Sequence, residues 1–104
     1  MSLFSKPKRF DDPLNTAVFT TVHVINEHSP ILAVYHYLDG AWQFMGEDTG
    51  EDYEEICMIA GLGEIINIDK SVLELADLPI GHRAIRNSRK DKWVIGKTEY
   101  SNEE

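Results

Sequence analysis

The residues best placed to do chemistry lie in "EDTGEDYEE", 47–55, where Glu47, Asp48, Glu51, Asp52, Glu54 and Glu55 crowd six carboxylates into nine positions around Tyr53. Paired acids act as general acid and base when their surroundings split their pKa values. Six acids in one polar stretch offer no such asymmetry. An EF-hand calcium loop needs oxygen ligands at alternating positions, Gly at the sixth and Glu at the twelfth. Counting from Asp48, the third residue is Gly50 and the sixth is Tyr53, so that pattern fails. A dense acidic patch does attract basic partners and speeds their arrival. The candidate protein-binding residues are therefore Trp42, Glu47, Asp48, Glu51, Asp52, Tyr53, Glu54 and Glu55; Trp42 and Trp93 read first as core or hairpin anchors, and an exposed one marks an interface hot spot. No catalytic, cofactor-binding or metal-ligating set is expected.

The remaining reactive side chains form no recognisable constellation. His23, His28, His36 and His82 lack the spacing of a zinc motif. Pairing of the first two strands would bring His23 near His36, which keeps a metal-binding or enzymatic domain built on His23, His36 and the carboxylates as an alternative. Cys57 sits in the apolar run "ICMIAG" and reads as a buried, inert hydrophobe. "GLGEI", 61–65, lacks the third glycine of a phosphate loop.

Charge is strongly segregated along the chain, whose net charge is −8. Residues 10–81 hold fourteen Asp or Glu against Lys70 alone, whereas 82–97 hold six Lys or Arg against Asp91. The basic ribbon "HRAIRNSRKDKW" reads as a counterpart for the acidic loop, in the same chain or in a second copy. A homodimeric structural or regulatory domain is thus another alternative. Nucleic acid is not an expected partner, because phosphate binding draws on Lys and Arg and most of this surface is acidic. No run approaches the roughly 20 apolar residues of a membrane span. The N-terminus lacks a signal-peptide h-region, and the expected location is cytoplasmic.

The elements that must position these residues follow from periodicity and turn chemistry. "AVFTTVHVIN", 17–26, reads as a central strand covered on both faces, and "ILAVYHYL", 31–38, as a second strand. Asp39 and Gly40 predict a two-residue hairpin into "AWQFM", which points Trp42 and Phe44 to one side and Gln43 to the other. "EICMIA" predicts a short buried strand. Leu62, Ile65, Ile66 and Val72, Leu75, Ala76 have helical spacing, broken at "IDKS", with Ser71 and Glu74 as a capping box. "LPIG" predicts a type I turn, and "HRAIRNSR" with "DKWVIGK" a closing hairpin. The expected fold is α+β, a single small domain with an antiparallel sheet of about five or six strands and one or two short helices before the final hairpin. Its limits are 15–97, with an irregular arm, 1–14, and a flexible acidic tail, 98–104.

The order of Trp42, Phe44, Gly46, Glu47, Asp48, Tyr53, Pro79, Gly81, Trp93 and Val94 resembles a family of small bacterial domains of uncharacterised function, over about residues 31–95. The resemblance implies a compact α+β domain. Some members are grouped with immunity proteins that neutralise a toxin, which implies a non-enzymatic inhibitor binding a protein partner.

Overall fold

The computed structural model describes residues 8–98. Six strands, β1 (Ala17–Thr21), β2 (Ala33–His36), β3 (Trp42–Met45), β4 (Cys57–Gly61), β5 (His82–Ile85) and β6 (Val94–Lys97), form one sheet in the order β4-β1-β3-β2-β5-β6. Neighbours are antiparallel except β1 and β3, which run parallel. Three α-helices, α1 (Val22–Glu27), α2 (Tyr53–Ile56) and α3 (Leu62–Ile68), and a 3-10 helix (Lys70–Leu75) complete the described chain. The fold is small and α+β, with a mostly antiparallel open sheet.

The period of two in each strand separates the faces of the sheet. Val18, Val34, Trp42, Phe44 and Ala84 point inward and pack with Val24 of α1, Leu62 and Ile65 of α3, and Val72 and Leu75 of the 3-10 helix. Phe10, from the irregular N-terminal arm, joins this core, its ring edge-on to Trp42 at 5.0 Å. Residues 1–7 of that arm and 99–104 of the tail lie outside the described residues.

The opposite face carries one aligned row across all six strands, Ile59, Phe19, Gln43, Tyr35, Arg83 and Gly96. Phe19 is 42% exposed there and Ile59 63%. The helices packed in the core all use the other face.

Several local expectations give way to tertiary forces. The stretch 17–26 is a strand only as far as Thr21, whose Oγ1 accepts the Val24 N–H at 3.2 Å and caps α1. This cap, together with burial of Val24, outweighs the strand preference of Val22, Val24 and Ile25. β1 is interior in the sheet but covered on one face, since Phe19 is exposed. The β2–β3 connection is a three-residue loop: Gly40 N–H bonds Tyr37 O at 2.9 Å, and Gly40 takes φ 93°. Its turn is therefore Tyr37 to Gly40, with Gly40 itself in the left-handed region.

The "ICMIA" run is buried only at Ile56 and Ala60. One turn of α2 takes Ile56, and β4 then forms an edge of the sheet, leaving Ile59 and Cys57 exposed. Asp69, rather than Ser71, caps the 3-10 helix, accepting from Ser71 N at 3.0 Å and from Ser71 Oγ at 2.7 Å. Within "LPIG", Gly81 N–H donates to His36 O at 2.7 Å instead of turning back to Leu78. Leu78 O is occupied by the His36 Nδ1–H, 2.7 Å away.

Candidate functional site

The acidic loop leaves β3 at Gly46, where the backbones come close. A Cβ there would lie 3.2 Å from Pro30 O and from Val24 Cγ2, so only glycine lets the chain turn at this point without displacing its neighbours. Beyond it, Asp48 Oδ1 accepts the Gly50 N–H at 2.9 Å, and Gly50 takes φ 79°. Thr49 Oγ1 donates to Glu51 Oε1 at 2.6 Å. The loop is thus held by its own side chains before α2 begins.

His23 ties the loop to α1. Its Nε2 lies 2.8 Å from Glu51 Oε1 and its Nδ1 3.2 Å from Glu27 Oε2. With a carboxylate at each ring nitrogen, the imidazolium is the form favoured, and His23 has a pKa raised from 6.5, chiefly by Glu51 and then by Glu27. Glu51 is lowered from 4.5, first by the Thr49 hydroxyl and then by His23. A raised histidine stabilises fully below pH 6.5 and loses that contribution as pH rises through its folded pKa. A lowered carboxyl contributes above pH 4.5 and loses the contribution as pH falls through its folded pKa. The tie is therefore strongest between these limits. In an NMR titration the His23 ring is expected to titrate above 6.5, and Glu51→Gln to bring it down towards 6.5. A His23 titration unmoved by that substitution would refute the tie.

The tethered loop leans over the open face of the sheet and bounds one side of an open cavity of about 520 Å³. Its floor is Thr21, Ala33, Tyr35, Gln43 and Met45; Tyr37, Tyr53 and Ile56 wall it, and Glu47, Asp48, Thr49 and Glu51 rim it. This volume lies within the roughly 300–1,000 Å³ of small-ligand and side-chain pockets. Tyr35 and Tyr37 stack at 5.9 Å with their planes 9° apart. The Tyr37 hydroxyl donates to Gln43 Oε1, and Gln43 Nε2 reaches Met45 Sδ at 3.3 Å. The Tyr53 hydroxyl is buried without a hydrogen-bond partner. Burial raises its pKa; Gln43 lies close enough to temper the rise but outside hydrogen-bonding geometry.

Three tyrosines and three carboxylates lining one cavity suit a cation. The faces of Tyr rings attract ammonium and guanidinium groups by about 0.5–2 kcal/mol, more as water is excluded. The rim supplies the opposite charge.

Of the residues singled out in the sequence, Glu47, Asp48, Glu51 and Tyr53 meet at this cavity. Asp52 stands at the N-cap of α2 without a side-chain cap bond, and Glu54 and Glu55 occupy its exposed first turn. Trp42 is on the opposite face, 2% exposed, and cannot anchor a partner. Its ring is stacked on His36 at 3.8 Å. The pairing of His23 with His36 fails for the same reason, since His23 sits on α1 among carboxylates while His36 stays against the core. Tyr35, Tyr37, Gln43 and Met45 were not singled out. Their one signal is parity, with i, i+2 spacing in two strands joined as a hairpin.

The basic hairpin makes a second concavity, about 420 Å³, on the same face, lined by Arg83, Ile85, Lys92, Val94 and Gly96 among others. Arg86 has left the ribbon for the interior, with Nη2 2.7 Å from Asp69 Oδ2. Among the described residues no ion pair links the acidic loop to this hairpin within the chain. Among them, too, no group of three or more His, Cys, Asp or Glu could hold a metal ion, and no helix is long and apolar enough to cross a membrane.

No protein-family model, curated protein or solved structure matches the chain. The chemistry of the residues themselves is what bears on function.

Proposed function

We propose that this chain is a non-enzymatic protein-binding domain that captures a basic segment of a partner. One Lys or Arg side chain enters the tyrosine-lined cavity, and flanking cations meet Glu47 and Asp48. The observation that carries this reading is that Glu47, Asp48 and Glu51 line the same cavity as Tyr35, Tyr37 and Tyr53. Carboxylates on a convex, fully solvated loop would be screened and worth little. Beside a low-dielectric floor the same charges act on a partly desolvated ligand, where they count for more. An immunity-type inhibitor, the role the family resemblance implies, is one setting for such a domain, with the toxin presenting the basic segment.

Calorimetric titration with a short Arg- and Lys-rich peptide tests the proposal. Glu47→Gln with Asp48→Asn, and separately Tyr35→Ala, are each expected to weaken binding by about tenfold or more, equivalent to ~1.4 kcal/mol. Glu54→Gln with Glu55→Gln, outside the cavity, is expected to change it far less. Equal losses from the two carboxylate pairs would show that only bulk charge matters and would overturn the cavity as the site.

A further inference from the structure

We infer that the open face of the sheet is a self-association surface, on which two copies of this chain pack face to face about a twofold axis running along the strands between β2 and β3. With six strands in the order β4-β1-β3-β2-β5-β6, that axis passes through the middle of the sheet. It lays β3 over β2 of the second copy, β1 over β5 and β4 over β6.

Strand direction brings the charges into register. β3 and β5 are both antiparallel to β2, so both emerge at the same end of the sheet. The acidic loop follows β3 and the basic hairpin follows β5, on opposite sides of the axis. Rotation therefore seats the Glu47 and Asp48 rim of each copy on the groove lined by Arg83 and Lys92 of the other. The contact is made twice, and it closes, as an isologous interface must. Asp91 also lines the basic groove but is engaged by Ser88 Oγ at 3.2 Å.

The apolar content fits the same arrangement. Phe19 and Ile59 on one side of the axis and Ile85 and Val94, the last 71% exposed, on the other stand out from the sheet with no helix above them. The rotation that seats loop on groove also brings Phe19 and Ile59 of each copy to the side of Ile85 and Val94 of the other, beyond the loops.

This surface goes beyond peptide capture, although it shares Glu47 and Asp48 with it. A monomer that binds the basic peptide would defeat the dimer alone; failure of the Arg83→Gln with Lys92→Gln variant to bind the peptide at a dilution where it is monomeric, and its rim therefore free, would defeat the capture alone.

Sedimentation velocity on the full chain is the test. The wild type is expected to be dimeric at about 50 mM salt and to dissociate more readily at about 500 mM, where the Debye length is far shorter. Arg83→Glu with Lys92→Glu and, separately, Glu47→Lys with Asp48→Lys should each be monomeric. Mixing the two should restore a dimer, because both contacts then regain opposite charges. A mixture that stays monomeric, when each variant melts like the wild type, would overturn the inference, as would a wild type monomeric at every concentration. Should a reversed variant melt early, Arg83→Gln with Lys92→Gln replaces it. A weakened, less salt-sensitive dimer supports the surface, and an unchanged one overturns it.

Discussion

Arg86→Ala is expected to lower the stability of the chain by about 3–5 kcal/mol, the cost of leaving a buried charge without its partner. Arg86 is 5% exposed, and each of its three guanidinium nitrogens donates a hydrogen bond. Nη2 meets Asp69 Oδ2 at 2.7 Å, Nη1 meets Ser71 Oγ at 3.0 Å, and Nε meets Ile31 O at 3.0 Å. The guanidinium also lies over Trp93, 4.0 Å from the ring centroid. One side chain thereby ties the start of β2, the cap of the 3-10 helix and the closing hairpin together. Removing it strands the Asp69 carboxylate, which also caps the helix through Ser71 N.

Domains of this size have only about 5–15 kcal/mol of stability in total, so the loss should be plain in urea denaturation. Arg86→Lys should recover little, because an ammonium cannot span the fork that meets Asp69, Ser71 and Ile31. A midpoint shift corresponding to less than about 1 kcal/mol for Arg86→Ala would mean the pair is solvated and the interior reading wrong.

Trp42→Ala is expected to cost a similar amount, about 3–5 kcal/mol, by opening a cavity at the centre of the core. The indole is sandwiched by His36 at 3.8 Å and Phe44 at 5.9 Å, with Phe10 edge-on. Trp42→Phe should cost much less. It keeps an aromatic ring in the stack and removes Nε1, a buried donor that has no acceptor. Such an unmet donor costs about 1–3 kcal/mol, which offsets part of the lost area. Thermal melts of the two variants distinguish this from a surface role, in which both would melt near the wild type and lose binding instead.

How far the sequence discloses this arrangement depends on the range of the forces. The β2–β3 hairpin is legible because alternation and an Asp-Gly turn are local, and Trp42 and Phe44 point where their parity says. The closing hairpin and the broken helical segment are legible for the same reason. The helix at Val22–Glu27 is not, because local preference there favours a strand. It is overruled by a cap from Thr21 and by burial of Val24 against elements far along the chain. Cys57 and Ile59 read as buried because apolar runs usually are, yet β4 falls at an edge, a property of strand order that no window of sequence contains.

The site divides in the same way. Its carboxylates stand out in the sequence, but their floor does not. Tyr35 reaches Gln43 through strand pairing, and the loop comes to lie above them because β4 pairs beyond β1, which itself joins β3 in parallel. The Arg86–Asp69 pair is likewise hidden, since nothing in a spacing of 17 residues distinguishes Arg86 from the other cations of its ribbon.

Amide and side-chain NMR shifts during titration with a three-arginine peptide test the cavity most directly. The expected result is a set of shifts confined to Tyr35, Tyr37, Gln43, Tyr53 and the rim from Glu47 to Glu51, with the Trp42 indole unmoved and a three-glutamate peptide silent. Shifts centred on the outer turn of α2 at Glu54 and Glu55, with Tyr35 and Gln43 still, would contradict it.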